Sequence, residues 1–144
     1  MPRVADILAV KGSDVHSISP DATAYQAIDR MVQHNVGSLL VLKGDAIAGI
    51  FTERDYLRRV TLADRNPKTT LVREVMTERL IFVDPDKSIQ DCMAIMTQGR
   101  IRHLPVVQSD RVVGMISIGD LVKHLSKEQE VEIRYLTQYI TGRV

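Results

Sequence analysis

The chain of 144 residues is short of several things, and each shortage excludes a class of protein. It has one cysteine, Cys92, so no internal disulfide can form. That usage fits a reducing, intracellular setting. Long apolar runs are missing too. The longest, such as Val36 to Leu42, is far too short to span a bilayer. The opening MPRVADILAVKG has neither an adequate apolar stretch nor a small-residue cleavage site for a secretory signal. A cytoplasmic protein with no membrane partner is therefore expected. Excess charge of one sign is also lacking: 19 basic and 18 acidic residues leave a net charge of +1. No global field would draw the chain onto nucleic acid.

Catalytic and metal signatures are equally scarce. No G-x-S-x-G, Walker A or G-x-G-x-x-G segment occurs. No pair among His16, His34, His103 and His124 has zinc-ligand spacing, and one cysteine cannot complete a thiolate site. Cys92 lies on the apolar side of a predicted helix, so it reads as core. Met31, Met93 and Met96 fall at core spacing as well. The chain is therefore not expected to be an enzyme or to require a cofactor.

What is present is a repeat. Residues 15–60 lie over residues 80–125 without a gap, at the offset that carries Asp55 onto Asp120. Identities include Pro20/Pro85, Asp21/Asp86, Met31/Met96, Leu39/Leu104, Val41/Val106, Gly49/Gly114 and Asp55/Asp120. Upstream, VADIL (4–8) matches VREVM (72–76). One offset satisfies both identities and hydrophobic pattern, which chance explains poorly.

Each copy reads β-α-β-β-α. A short strand (15–19, 80–84) ends at Pro-Asp. A helix follows, with Ala24, Ala27, Ile28, Met31 and Val32 at helical spacing in copy one and Ile89, Cys92, Met93 and Met96 in copy two. A strand (38–42, 103–107), a polar turn and a third strand (47–51, 112–117) form a hairpin. A second helix (53–62, 118–126) closes the unit. A repeat of ~45 residues could hardly be stable alone. The expected fold is α/β of the α+β kind: two repeats packed face to face with pseudo-twofold symmetry. The organisation is repeat one over 1–62, a polar linker over 63–70, repeat two over 71–126 and a helical tail over 127–144. In the tail, Ile133, Leu136 and Ile140 share a face beside Tyr135 and Tyr139. Packing onto its own core and a homodimer contact are equally good accounts of that face.

The informative segments are GIFTERD (49–55) and GMISIGD (114–120). Both place glycine, two apolar residues, a hydroxyl and, three residues later, aspartate where strand hands over to helix. Glycine allows close backbone approach. Thr52 or Ser117 sits at a helix start that favours an anion. Asp55 or Asp120 projects from the same side and, as an acceptor-only group, can take both hydroxyls of a ribose diol. Helix capping would explain either segment alone. Its appearance twice, at matching positions, favours a ligand.

The layout, with GIFTERD, GMISIGD and RHLPVV (102–107), resembles the cystathionine β-synthase (CBS) domain pair, or Bateman module, over about residues 4–126. It is most similar to short stand-alone bacterial members. The resemblance implies a regulatory module with two clefts that take AMP, ADP, ATP or NAD(H), acting on an unknown effector protein. It implies ribose contacts from Asp55 and Asp120, and ribose or phosphate contacts from Thr52 and Ser117. Each cleft would combine one repeat's aspartate with the other's first strand. That places Val15–Ile18, with His16 and Ile18, beside Asp120, and Thr77–Phe82, with Thr77 and Ile81, beside Asp55. Ile50, Ile116 and Ile118 would line the adenine. Arg100, Arg102 and His103 in copy two, and Arg54 in copy one, would meet phosphates, making the clefts unequal. The competing expectation is a ligand-independent scaffold that dimerises and docks on an enzyme or transporter.

Overall fold

The structure, a computed structural model, describes residues 2–128. The apolar tail face of Ile133, Leu136 and Ile140 lies outside the described residues. The fold class is the expected one, a mixed α+β architecture. The elements run α1 (Val4–Lys11), β1 (Ser17–Ile18), α2 (Ala24–His34), β2 (Ser38–Lys43), β3 (Ala46–Thr52) and α3 (Glu53–Tyr56). A π-helical turn over Leu57–Thr61 follows. Then come α4 (Val72–Val75), α5 (Ile89–Gly99), β4 (His103–Gln108), β5 (Arg111–Ser117) and α6 (Ile118–Glu128). The helix expected over 53–62 is thus α3 plus the π turn. Its twin in copy two is the unbroken α6.

The long helices start and stop at chemically specified points. Thr23 caps α2 in a reciprocal box with Gln26, and Ser88 accepts from the Asp91 amide at the start of α5. Both helices end on a left-handed residue, Asn35 and Arg100, each at φ 53°. The hairpins have two-residue turns, since Lys43 pairs with Ala46 and Gln108 with Arg111. Ser109 and Asp110 both take positive φ, as a type I′ turn requires. Each hairpin carries a register shift at the same place, after Val41 and after Val106.

The first strands depart from expectation. In copy one, β1 runs parallel to β2 for two residues, helped by Leu40 N–H donating to His16 O at 3.0 Å. In copy two no strand forms over 80–84, and only Val83 bridges Val106. The cause is a proline. Pro105 stands where copy one has Leu40, has no N–H to donate, and so removes the equivalent bond to Ile81. Ile81 and Phe82 are left exposed.

There are two cores, and each is built by both repeats. One gathers Ala24, Ala27, Met31, Leu39, Val41 and Phe51 of repeat one with Val72 and Val75 from α4 and Met76 just after it. The other gathers Ile89, Cys92, Met96, Leu104, Val106, Ile116 and Leu121 with Val4 and Ile7 from α1. The short helix leading each repeat therefore packs on the other repeat. Bridges Arg3–Ser88 and Thr23–Leu71 mark the same exchange at the helix starts. Arg59 of the π turn reinforces it by donating to the Val75 and Met76 carbonyls at 3.2 and 2.7 Å. The segment 63–70 is tied down rather than loose: Ala24 N–H donates to Thr70 O and Tyr25 N–H to Pro67 O.

The paired glycines serve this exchange. A Cβ on Gly49 would lie 2.6 Å from Thr77 O, and one on Gly114 would lie 2.7 Å from a Leu8 methyl. The backbone approach read from the sequence is made by the chain itself.

Candidate functional site

Strand β5 ends and α6 begins at Ser117. The Ser117 Oγ accepts from Asp120 N–H at 3.1 Å, and Asp120 Oδ2 accepts from Ser117 N–H at 2.8 Å. The same box joins Thr52 and Asp55 at the start of α3, with both bonds at 3.1 Å. Helix capping is therefore real at both motifs. The remaining partners of the two carboxylates separate them.

Asp55 is turned inward, 8% exposed, and its Oδ1 accepts from the Thr77 hydroxyl at 3.0 Å. Thr77 lies across the repeat boundary and also exchanges two backbone hydrogen bonds with Ile50. The sequence pairing of Thr77 with Asp55 is thus met by direct contact. The carboxylate is occupied on both oxygens by the chain itself.

Asp120 faces a cleft of about 430 Å³ between the repeats. That volume falls within the ~300–1,000 Å³ usual for small-molecule sites. Repeat two contributes His103, Met115, Ser117 and Asp120. Repeat one contributes Asn35, Val36, Gly37 and Ser38, together with Lys11, Gly12, Asp14 and His16 from the segment leading into β1. Asp120 and His16 thus meet in one cleft, as the resemblance implied. The His16 ring stacks on His34 with centroids 4.3 Å apart, fixing it against the end of α2.

Charge in the cleft centres on Lys11. Its ammonium donates to Asp120 Oδ2 at 2.7 Å and to Met115 O at 2.6 Å. Burial alone pushes the Asp120 carboxyl up. The Lys11 and Ser117 hydrogen bonds and the Lys11 charge outweigh it, and the carboxyl titrates below its usual range. Burial, reinforced by the Lys11 charge, pushes the His103 imidazole below its usual value, so the ring favours the neutral form.

Several predicted lining residues sit elsewhere. Ile116 is 0% exposed inside the second core, and Ile18 is buried in the first. Ile118 packs on the second core as well. Ile50 is buried, paired with Thr77 and Leu40. Strand alternation explains the Ile116 error: the residue equivalent to Ile50 is Met115, and Met115 lines the cleft. Ile81 is exposed near Gly99 and Ile101 rather than beside Asp55. Arg54, expected beside Asp55, is exposed, and Arg100 and Arg102, expected near Asp120, are exposed and outside the lining of its cleft. Arg100 is spent on the left-handed end of α5, and Arg102 precedes a strand whose inward residue is His103. Of the basic residues described, Lys11 reaches the cleft as a cation, beside the imidazoles of His16 and His103. The sequence carried no signal for Lys11, because its contact spans 109 positions. Among the described residues, no group of three His, Cys, Asp or Glu is placed to hold a metal ion. No helix among them is long and apolar enough to cross a membrane.

Known proteins share this fold. The sequence profile of the CBS domain matches residues 4–62 and 72–127. CBS domain-containing protein CBSX3, mitochondrial, of Arabidopsis thaliana is 40% identical over 148 residues, covering 96% of this chain and 72% of that one. A solved structure from Burkholderia ambifaria, named for signal transduction and CBS domains, is 45% identical with a TM-score of 0.86, covering 88% of this chain and 96% of that one. A hexameric CBS-CP12 protein from bloom-forming cyanobacteria is 26% identical with a TM-score of 0.76, covering 97% and 87%. The two exchanged cores, the doubled strand-to-helix motif and these likenesses together place the chain in the CBS domain family, as a tandem pair of the kind typically used in regulation and signal transduction.

Proposed function

We propose that the chain is a regulatory module that binds an adenine ribonucleotide (AMP, ADP, ATP or NAD(H)) in the cleft of Asp120. The observation that carries this reading is the cleft itself. It is bounded by both repeats and has a carboxylate at a helix start on one wall and Lys11, His16 and His103 around it. Asp120 suits a ribose diol, the Ser117 helix start and Lys11 suit a phosphate, and Val36 and Met115 give apolar lining for a base. Asp55, buried and bonded to Thr77, serves as a tie between the repeats, so the chain takes one ligand rather than two. Regulation follows if the ligand prefers one arrangement of the repeats, whose effect passes to an effector protein.

Calorimetry on ligand-stripped protein tests this. AMP, ADP, ATP, NAD⁺ and NADH are titrated in turn, with 2′-deoxy-AMP as control. One of the ribonucleotides binds at one per chain, the deoxy analogue binds more weakly, and Asp120→Ala abolishes the heat. Asp55→Ala lowers stability by about 1–3 kcal/mol through its orphaned partners and leaves the binding constant unchanged. If no nucleotide binds below millimolar, the reading fails.

A scaffold role has one observation of its own. Ile28, Met31, Val32, Val36, Tyr56 and Leu57 line a groove between α2 and the α3 region, with Val32 74% and Leu57 56% exposed. The hexameric relative shows that this type of fold can assemble. We read the groove as a self-association surface that coexists with the ligand cleft.

A further inference from the structure

Lys11 is the last residue of α1, and α1 belongs physically to repeat two. Val4 and Ile7 are buried in that core and Leu8 packs against Gly114. Gly12 then takes φ 95° and turns the chain back toward β1 of repeat one. The ammonium is thus delivered to the cleft by a helix end docked on the second core, on a long stem with several rotatable bonds. Lys11 and Asp120 side chains are 35% and 23% exposed, so their ion pair is partly shielded from water. Both the Lys11 and the Ser117 bonds fall on the same oxygen, Oδ2.

This geometry sets a condition on any ligand, given the nucleotide reading above, on which the inference rests. A ribose diol that takes both oxygens of Asp120 competes with Lys11 for Oδ2 and displaces it. An uncharged nucleoside leaves the ammonium with one of its two hydrogen-bond partners, the Met115 carbonyl, and a half-shielded charge. A nucleotide brings its own anion into the same cleft, and one rotation of the lysine stem re-pairs the charge. We propose that Lys11 is the specificity-determining residue of the Asp120 cleft, passing from Asp120 to the ligand phosphate and so selecting charged nucleotides over uncharged nucleosides. No bond is made or broken beyond hydrogen bonds, and the proton inventory is unchanged.

The prediction is a crossover, which a structural role for Lys11 would not produce. AMP and adenosine are titrated into wild-type protein, Lys11→Ala, Lys11→Met and Lys11→Arg. Lys11→Met keeps most of the apolar stem, and thermal melting checks that each variant is folded. In the wild type AMP binds more tightly than adenosine. In Lys11→Ala and Lys11→Met that preference shrinks by about ten- to a hundredfold, the worth of a charge-assisted hydrogen bond. AMP loses affinity while adenosine holds or gains. Lys11→Arg keeps the preference. Equal losses for both ligands, or an unchanged preference, overturn the role of Lys11 even where Asp120→Ala shows the cleft reading to be right. If wild-type protein binds neither compound, and no nucleotide in the wider panel binds, the cleft reading falls and this inference with it.

Discussion

Alanine at the two paired glycines makes an asymmetric test of the exchanged-helix architecture. Neither Gly49 nor Gly114 takes positive φ, so alanine is allowed by the backbone at both and gains ~0.4–1 kcal/mol from the unfolded chain. The new methyl meets different things. At Gly49 it lies 2.6 Å from Thr77 O and 3.0 Å from Met76 Sδ. Thr77 O already accepts from Ile50 N–H at 2.9 Å, and Thr77 N–H donates back to Ile50 O at 2.8 Å. Moving that carbonyl strains or breaks two backbone bonds worth ~0.5–1.5 kcal/mol each, on top of ~1–3 kcal/mol of overpacking. At Gly114 the methyl meets only the Leu8 side-chain end, which can change rotamer for ~1 kcal/mol. Gly49→Ala therefore costs about 1–5 kcal/mol net, and Gly114→Ala at most about 1. Urea denaturation followed by circular dichroism reads the difference, as does a melting temperature about 8 °C lower for Gly49→Ala. Equal losses, or a larger loss at Gly114, would refute the docking of Met76–Thr77 on β3.

Two further outcomes follow from the same geometry. His103 is held below its usual titration range, so the unfolded chain binds a proton that the folded chain refuses. Stability falls as the pH drops below about 6.5 toward the folded value, and His103→Gln flattens that part of a pH series of urea midpoints. Asp120 is depressed instead, so its contribution stands above pH 3.8 and disappears only as the pH falls below that, which separates the two groups. At the exposed groove, Val32→Glu and Leu57→Glu shift the sedimentation mass toward monomer without changing nucleotide affinity; an unchanged mass removes the groove from any self-association surface.

Much was legible from residue order alone. The offset from Asp55 to Asp120 set the repeat, and the repeat set two equivalent hairpins, two long capped helices and two hydroxyl-aspartate boxes. These are local features, fixed by turn chemistry, capping and periodicity within a few residues. Periodicity also gave the fold class, because each small sheet has one face to bury. Even so, a one-residue choice of strand face sent Ile116 to the cleft when its place is the core, and put Met115 out of sight.

Tertiary structure decided what differs between the copies. The sequence makes Asp55 and Asp120 equivalents, yet one is closed by Thr77 and the other faces a cleft with Lys11. Those partners come from short leading helices that cross to the opposite repeat, and nothing in a four-residue or eight-residue helix announces which core it will join. The basic residues followed suit: Arg100 and Arg102, near the second motif in sequence, lie outside the Asp120 cleft, and Lys11, far from it in sequence, lies in it. Side-chain identity and spacing determine the pieces of this protein. Packing of the repeats, a contest among long-range burial terms, determines which piece faces the cleft.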